Sequence, residues 1–193
     1  MRYIFLGPPG AGKGTQANIL ASRWQIPHIS TGDILRTAIA TETPLGVQAR
    51  TYVSAGELVP NDLIMALIRE RFGEADTKAG WILDGFPRTI AQAQALDRLL
   101  SILWHAYPSV IYFKVDDGVL TERMLTRGRA DDTAETIQRR LEVYHQDTIP
   151  LVDFYQKRRC LIEVDGGCSS KEVTQALQES ILQAQSSPLE KAS

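Results

Sequence analysis

The sequence predicts an α/β protein of three layers, in which helices cover both faces of a five-stranded parallel sheet. Short apolar runs alternate with longer segments of helical periodicity along the 193 residues, an order typical of parallel strands joined by helical crossovers. The first apolar run also ends in a glycine-rich turn that leads directly into a helical segment. This length suits a single domain, which we expect to span residues 1–193.

The predicted strands are apolar runs bounded by glycine, proline or polar residues. They lie at residues 3–6, 27–29, 81–84, 110–115 and 160–164. Helical periodicity marks five segments that follow these strands, at residues 13–24, 90–103, 119–127, 133–157 and 171–185. The fourth of these should kink at Pro150, because proline removes a backbone donor. A frayed tail is expected at 186–193.

Three further helices follow the second strand with no strand between them. They are predicted at residues 32–40, 44–55 and 61–72. Because they interrupt the alternation of strands and helices, they predict a helical unit inserted into the sheet protein.

Residues 7–15, with the sequence Gly-Pro-Pro-Gly-Ala-Gly-Lys-Gly-Thr, predict a phosphate-binding loop. Glycines let backbone N–H groups turn inward, and the helix beginning near Lys13 directs its positive dipole end at the same anion. The Lys13 ammonium can reach the outer phosphates as a mobile charge. Such loops usually carry Ser or Thr directly after the lysine, whereas Gly14 stands here and Thr15 follows.

A second group of polar residues follows the second and third strands. Arg36 comes shortly after Ser-Thr-Gly-Asp at residues 30–33, and Asp84 and Arg88 follow the third strand. Ligands of open α/β sheets collect at the carboxyl ends of strands, so these residues and Lys13 should converge on one crevice. Asp84 is a candidate magnesium ligand acting through water, since Mg²⁺ dehydrates reluctantly; a cap for the following turn is the alternative.

These motifs, together with residues 56–60 and the basic stretch 129–140, resemble those of the adenylate kinases, within the nucleoside monophosphate kinase family. The resemblance implies a P-loop fold whose core comprises residues 1–29, 60–127 and 132–193. It also implies an NMP-binding insert at 30–59 and a lid at 128–131. Only two residues separate Gly128 from Asp131, so the lid is of the short type, without room or cysteines for zinc. The implied reaction is MgATP + AMP ⇌ 2 ADP, with Mg²⁺ as cofactor.

The resemblance further implies the residues of each subsite. It assigns catalysis to four cations, Lys13, Arg88, Arg129 and Arg140. It assigns ATP binding to the glycine-rich loop and two later positions, namely Gly10, Ala11, Gly12, Lys13, Gly14, Thr15, Arg123 and Gly166. It assigns AMP binding to Thr31, Arg36, Glu57, Leu58, Val59, Gly85, Arg88, Gln92, Arg129 and Arg140.

Particular roles within the subsites also follow from the resemblance. Arg123 is expected to stack on the ATP adenine, and Val59 to contact the AMP base through its backbone. Thr31 and Gln92 stand where pyrimidine monophosphate kinases tend to carry Ala and Asn, so AMP is the expected acceptor. The Gln92 amide can make two complementary hydrogen bonds with N1 and N6 of adenine.

Several neighbouring residues receive less specific interpretations. Asp131 and Asp132 are expected to orient the lid arginines and a helix N-terminus. Arg139 is interpreted as part of a solvated helix face, and the role of Arg127 is left open. His28, beside a strand, is interpreted as a packed or capping residue rather than a catalytic one.

The amino-acid composition limits the kinds of partner that we expect the protein to bind. A net charge of −2 argues against general affinity for nucleic acid, and no apolar run approaches the length of a membrane span. The two cysteines match no metal or redox spacing and suit a reducing compartment. We expect a cytoplasmic monomer without a signal peptide, acting on ATP, AMP and ADP, with neither nucleic acid nor membrane as a partner.

Two alternatives remain open at this point. One is a UMP/CMP kinase, which would keep the fold and the mechanism but bind a different base. The other is a regulatory module that binds nucleotides without transferring a phosphoryl group; it could dispense with Arg88, Arg129 or Arg140, and all three are present.

Overall fold

The computed structural model of the protein describes residues 1–129 and 131–186 and contains the predicted five-stranded parallel sheet. Its strands are β1 (Arg2–Leu6), β2 (His28–Ser30), β3 (Trp81–Asp84), β4 (Ser109–Lys114) and β5 (Leu161–Asp165). They are ordered β2-β3-β1-β4-β5, and every neighbouring pair is parallel. Each predicted strand is confirmed to within one residue at either end. Ser186, the first residue of the tail expected to fray, belongs to the last helix, and the rest of that tail lies outside the described residues.

The helices also follow the predicted order. They are α1 (Lys13–Trp24), α2 (Thr31–Ala40), α3 (Pro44–Ala55), α4 (Asn61–Phe72), α5 (Ile90–Ile102), α6 (Asp117–Arg127), α7 (Ala134–Val143), α8 (Pro150–Lys157) and α9 (Ser170–Ser186). Hydroxyl groups cap four of them, since Ser30, Thr43, Thr89 and Thr133 accept backbone N–H bonds at the starts of α2, α3, α5 and α7. Among the described residues, no helix combines the length and the apolar character needed to cross a bilayer.

Apolar side chains cover both faces of the sheet. On one face, strand residues pack with α4, α5 and α8; they include Ile4, Leu6, Trp81, Leu83 and Val110. On the other face, the partners are α1, α6 and α9, and the strand residues include Tyr3, Phe5, Ile82, Ile111 and Phe113. A strand buried on both faces is apolar at successive positions, which is why alternation is weak in the sequence. This double burial fixes the strand ends from which the functional residues emerge.

The long helix predicted at 133–157 is wrong in one respect, because a wide turn separates α7 from α8. Residues Tyr144–Thr148 form a π-helical turn, in which the N–H of Ile149 donates to the carbonyl of Tyr144 at 3.0 Å. Pro150 begins α8 and has no N–H, and its ring would collide with a carbonyl four residues earlier in a regular helix. The interruption predicted at Pro150 is therefore present. It takes the form of a π-helical turn before the proline rather than a simple kink. Tyr144 and Thr148 are both buried as a result.

The helices α2 and α3 approach each other closely where the second of them begins. Gly46, in the first turn of α3, is buried against α2, and a Cβ atom at this position would lie 2.0 Å from the carbonyl oxygen of Ala38. The backbones could not come so close if residue 46 carried a side chain. This glycine is therefore required by packing rather than by an unusual backbone angle.

We expect Gly46→Ala to lower the free energy of unfolding by about 1–3 kcal/mol, because α2 and α3 must separate to admit the methyl group. Urea unfolding monitored by circular dichroism measures the change. The matched control is Gly118→Ala in α6, where a Cβ atom would meet nothing within 4 Å. That variant should be neutral or slightly stabilising, so equal destabilisation of both variants would contradict the packing requirement.

Candidate active site at the carboxyl edge of the sheet

A cleft of about 700 Å³ opens where the parallel strands end, a size typical of sites for small ligands. Every residue predicted for the two nucleotide subsites and for the metal lines this cleft. The residues predicted for ATP binding are Gly10, Ala11, Gly12, Lys13, Gly14, Thr15, Arg123 and Gly166. Those predicted for AMP binding and for the metal are Thr31, Arg36, Glu57, Leu58, Val59, Asp84, Gly85, Arg88, Gln92, Arg129 and Arg140. The fold therefore brings all the residues predicted for the site into one cleft.

The glycine-rich loop between β1 and α1 forms one wall of the cleft. Gly10 and Gly12 have φ angles of 83° and 84°, in the left-handed region that favours glycine. Gly12 precedes the first residue of α1, and no side chain accepts a hydrogen bond from that end of the helix. The Lys13 ammonium donates to the carbonyls of Gly7 and Pro8 at 2.8 and 2.7 Å. A phosphate chain in this loop would meet helix N–H groups and an ammonium together.

Cations crowd the centre of the cleft. Desolvation lowers the pKa of Lys13 to about 8, against the attraction of Asp84 and together with repulsion from Arg88 and Arg127. Burial also lowers the pKa of Arg88, opposed by Asp84 and assisted by the charge of Arg140. Both shifts have the same physical cause, positive charges held close together away from water. A bound polyanion would offset the repulsion among these positive charges.

Arg88 is held in place through its backbone as well as its side chain. Its Nε donates to the carbonyl of Gly85 at 2.8 Å, and its own carbonyl accepts from the hydroxyl of Thr148 at 2.9 Å. Its backbone N–H donates to Oε1 of Gln92 at 2.8 Å. The residue is thus anchored to α5 and to the π-helical turn. Thr148 is a supporting residue that sequence reasoning missed, because only the wide turn directs it towards Arg88.

The Thr31 side chain and Gly85 meet at the end of β3. The Thr31 hydroxyl donates to the carbonyl of Asp84 at 3.2 Å, and the residue is almost fully buried. A Cβ atom on Gly85, whose φ is 81°, would lie only 2.8 Å from that hydroxyl. Glycine at position 85 therefore lets the start of α2 approach the end of β3.

Asp132 orients two of the arginines near the predicted lid. Its carboxylate is fully enclosed and accepts two hydrogen bonds from Arg127, each of 2.8 Å, and one of 2.9 Å from Arg140. Arg140 also pairs with Asp131. The expectation that these aspartates orient arginines is confirmed, and Arg127 gains a partner. The start of α7, however, is capped by Thr133 rather than by an aspartate.

Two further arginines reach the cleft from neighbouring segments. Arg36 pairs with Asp33 one turn earlier on α2, and the guanidinium of Arg129 lies 3.8 Å from the same carboxylate. Asp33 therefore joins the segment after α6 to the first turn of α2. Ala130, the next residue of the predicted lid, lies outside the described residues.

Arg123 uses the edge of its guanidinium to hold the turn after β5. It donates to the carbonyls of Gly166, Gly167 and Cys168 at 2.7, 3.0 and 3.3 Å. N–H donors of a guanidinium lie in its plane, so these bonds engage its edge and not its flat faces. The same bonds place Gly166 beside it in the cleft wall.

Asp84 presents a carboxylate to the glycine-rich loop. A Cβ atom on Gly14 would lie 3.4 Å from Oδ2 of Asp84, so the position after the loop lysine faces this group. A hard carboxylate oxygen beside a phosphate loop fits Mg²⁺. The Nε2 of His28 lies 3.5 Å from the same oxygen, and its Nδ1 lies 2.8 Å from Oδ1 of Asn18. His28 therefore belongs to the cleft, because its strand lies beside β3; the sequence indicated only its place beside a strand.

Arg139 has a side chain that is 40% exposed, as the interpretation of a solvated helix face requires, but it also pairs with a residue of another segment. Its Nε donates to Oε1 of Glu57 at 2.6 Å, joining α7 to the segment after α3. The hydroxyl of Thr136 also donates to the carbonyl of Ser54, at 3.4 Å. The sequence could not indicate this pairing, because the partners are 82 positions apart.

The fold and the cleft define a phosphotransferase of the P-loop class, in which a glycine-rich loop, a lysine and converging arginines surround a phosphate site. Residues 5–160 match the sequence model of the family described as adenylate kinase. The chain is 53% identical over 180 residues to "Adenylate kinase 1" of Nostoc sp., covering 93% of this chain and 98% of that protein. It is 57% identical over 163 residues to "Adenylate kinase 1" of Synechocystis sp., covering 84% and 87%. It is also 47% identical over 184 residues to "Adenylate kinase" of Leptospira biflexa, covering 93% and 99%.

The chain therefore belongs to the adenylate kinase family. The resemblance read from its motifs, the fold and the enzyme class are confirmed: it is a phosphotransferase with nucleotide substrates.

The lowered pKa of Lys13 makes nucleotide binding dependent on pH. Phosphates bind the protonated amine, so affinity is fully present below about pH 8 and falls as the pH rises above it, by up to about tenfold per unit. Calorimetric titration with a non-transferable MgATP analogue between pH 7 and 9.5 measures the dependence. Lys13→Arg, which stays protonated, should bind more weakly with little dependence on pH. A constant affinity of the unsubstituted protein up to pH 9.5 would contradict the shift.

Because Glu57 and Arg139 form an ion pair, we expect the loss of either side chain to have the same effect on activity. Glu57→Gln and Arg139→Gln should each raise the KM for AMP by less than about fivefold, because the pair is partly exposed. The double variant should be no worse than either single one, which steady-state kinetics in a double-mutant cycle determines. If Glu57→Gln were far more damaging than Arg139→Gln, the Glu57 carboxylate would have a further role, such as direct contact with AMP.

Proposed function

We propose that this cleft transfers the γ-phosphoryl group of ATP to AMP, reversibly, to give two molecules of ADP. The observation that carries the proposal is the convergence of cations from separate elements at the glycine-rich loop. Lys13 comes from the start of α1, Arg88 follows β3, and Arg140 lies on α7. The relatives named adenylate kinase support the same reaction.

The donor side of the cleft is proposed to hold ATP. The backbone of residues 10–15 and the Lys13 ammonium would bind its phosphates, since α1 begins there. Arg123 would stack a flat face on the adenine, beside the backbone of Gly166. This role is supported by the three carbonyls that fix the edge of its guanidinium.

The acceptor side is proposed to hold AMP. Arg36 and Arg88 would bind its phosphate, and Arg129 and Arg140 would clamp the phosphoryl group as it moves. The remaining members of this subsite would surround the nucleoside; they are Thr31, Glu57, Leu58, Val59, Gly85 and Gln92. The Glu57 carboxylate pairs with Arg139, so we propose that position 57 acts through its backbone.

The proposed step needs positioning and charge rather than covalent help from the protein. An oxygen of the AMP phosphate attacks the γ-phosphorus, the bond from that phosphorus to the β–γ bridging oxygen breaks, and ADP leaves. Two like unit charges about 4 Å apart repel by about 1 kcal/mol in water and about 4 kcal/mol at an effective dielectric constant of 20. The fixed guanidinium groups offset this repulsion and stabilise the charge of the transition state.

Magnesium is the proposed cofactor, with Asp84 as the residue that would hold it through water. Bound with ATP, Mg²⁺ neutralises part of the charge on the phosphates. The position of the Asp84 carboxylate opposite Gly14, at the mouth of the loop, supports this assignment.

We also propose which segments of the chain form each functional part, and the oligomeric state and compartment in which the protein acts. Residues 30–59 would form the NMP-binding insert, residues 128–131 the short lid, and the remainder the core. We propose a monomer, which the resemblance to the family implies. The unpaired cysteines Cys160 and Cys168 suit the cytoplasm.

Initial rates with MgATP and separate acceptors test the proposal. We expect strong preference for AMP over CMP, UMP and GMP, because Gln92 can match the hydrogen-bonding edge of adenine. Preference for CMP or UMP would instead indicate a pyrimidine nucleotide kinase. Binding of ATP without transfer to any acceptor would contradict the proposed function and favour a regulatory module.

A pair of variants serves as the control for the site itself. Arg88→Ala should reduce kcat/KM for AMP by on the order of 10³ or more, since it removes an anchored cation from the transferring phosphate. Arg98→Ala removes an exposed arginine from α5 and should leave the rate unchanged. Similar rates for the two variants would contradict the assignment of Arg88.

A further inference from the structure

The amide of Gln92 is held at both of its ends. Its Oε1 accepts from the backbone N–H of Arg88 at 2.8 Å, and its Nε2 donates to Oδ1 of Asn61 at 2.9 Å. A backbone N–H is only a donor, so the amide oxygen must face Arg88 and the amide nitrogen must face Asn61. The side-chain orientation, which is ambiguous for many glutamines, is thereby determined.

Two hydrogen-bonding positions of the Gln92 amide are left for a ligand. An amide oxygen accepts two bonds and an amide nitrogen donates two, so one acceptor and one donor remain. Gln92 is only 3% exposed, yet it lines the cleft. A base with an acceptor at N1 and an amino group at C6 matches this orientation. A 6-oxopurine carries N1–H and O6, the reverse pattern, and would require the amide to turn over.

Asn61 is placed at the start of α4, where asparagine often caps a helix. Here Pro60 occupies the capping position, and no side-chain hydrogen bond caps the helix. The Asn61 side chain instead bonds to Gln92 across 31 positions of sequence. The helices α4 and α5 that carry the two residues pack in the same apolar cluster, which fixes their spacing. This use of the side chain points to a role at the cleft rather than in starting the helix.

We propose that Asn61 is a positioning residue that, together with the backbone N–H of Arg88, sets the choice of base. By accepting from Nε2, it keeps the Gln92 amide in the orientation that suits adenine and disfavours 6-oxopurine nucleoside monophosphates. This inference rests on the proposed function, because it assumes that Gln92 contacts the base of the acceptor. Asn61 acts through Gln92 and has no part in the transfer step.

The test compares AMP with IMP, a 6-oxopurine nucleotide, as acceptors of the phosphoryl group from MgATP. Asn61→Leu keeps the side-chain size and removes the acceptor; Asn61→Asp keeps an acceptor. In Asn61→Leu, the ratio of kcat/KM for AMP to that for IMP should fall by about two- to tenfold, the value of one hydrogen bond. Asn61→Asp should preserve or increase the ratio. The KM for ATP should be unchanged in both.

Asp62→Asn is the matched control, since it alters the adjacent exposed position of the same helix and should leave the ratio unchanged. Asn61→Ala carries the same expectation as Asn61→Leu and replaces it if thermal melting shows that the leucine variant is unfolded. These controls separate an effect on selectivity from an effect on the start of α4.

An unchanged ratio in Asn61→Leu, or equal losses for both acceptors, would overturn this inference. The proposed function would stand in that case, provided the unsubstituted protein prefers AMP. An unsubstituted protein that uses IMP as well as AMP would overturn this inference and leave transfer to AMP standing, whereas one that transfers to neither would overturn both.

Discussion

Positive charges at the carboxyl edge of the sheet repel one another, and much of the surrounding structure serves to hold them there. Asp132, fully enclosed, orients Arg127 and Arg140, and Asp33 pairs with Arg36. Backbone carbonyls do the same for Lys13. Because these groups are held before any ligand arrives, little further ordering is needed when a polyphosphate binds. Burial away from water lowers the pKa of Lys13, and the neighbouring arginines add to the effect.

The parallel sheet makes this concentration of charge possible. The strands are buried on both faces by apolar layers, and their carboxyl ends lie side by side. The glycine-rich loop follows β1, and Asp84 ends the adjacent β3. Residues far apart in sequence therefore meet at one edge. Stability resides in the apolar layers, and the charged edge carries the chemistry.

Helices beyond the sheet supply the second set of constraints. The π-helical turn directs Thr148 to the carbonyl of Arg88, and the close approach at Gly46 holds α2 against α3. Arg139 ties α7 to Glu57, and Asn61 ties α4 to Gln92. Three of these contacts join residues that line the cleft to other helices. The proposed binding of a monophosphate would thus be coupled to the placement of those helices.

The sequence by itself determined the strands, the helices and the residue types of the site, because these depend on local patterns. Apolar runs predicted each strand to within one residue, and the loop around Lys13 carries its spacing in consecutive letters. The predicted members of both nucleotide subsites all line one cleft, since parallel strands end at one edge. Family membership followed from motifs preserved in order.

Only the tertiary structure decided which partner each charged or polar side chain takes. Nothing local to Arg139 indicates Glu57, and nothing local to Gln92 indicates Asn61, because such pairs depend on how separate helices are placed. The break before Pro150 was visible in the sequence, but its π-helical form depends on the backbone bond from Ile149 to Tyr144. Hydrogen bonds are short and directional, so small differences in packing determine which of them form.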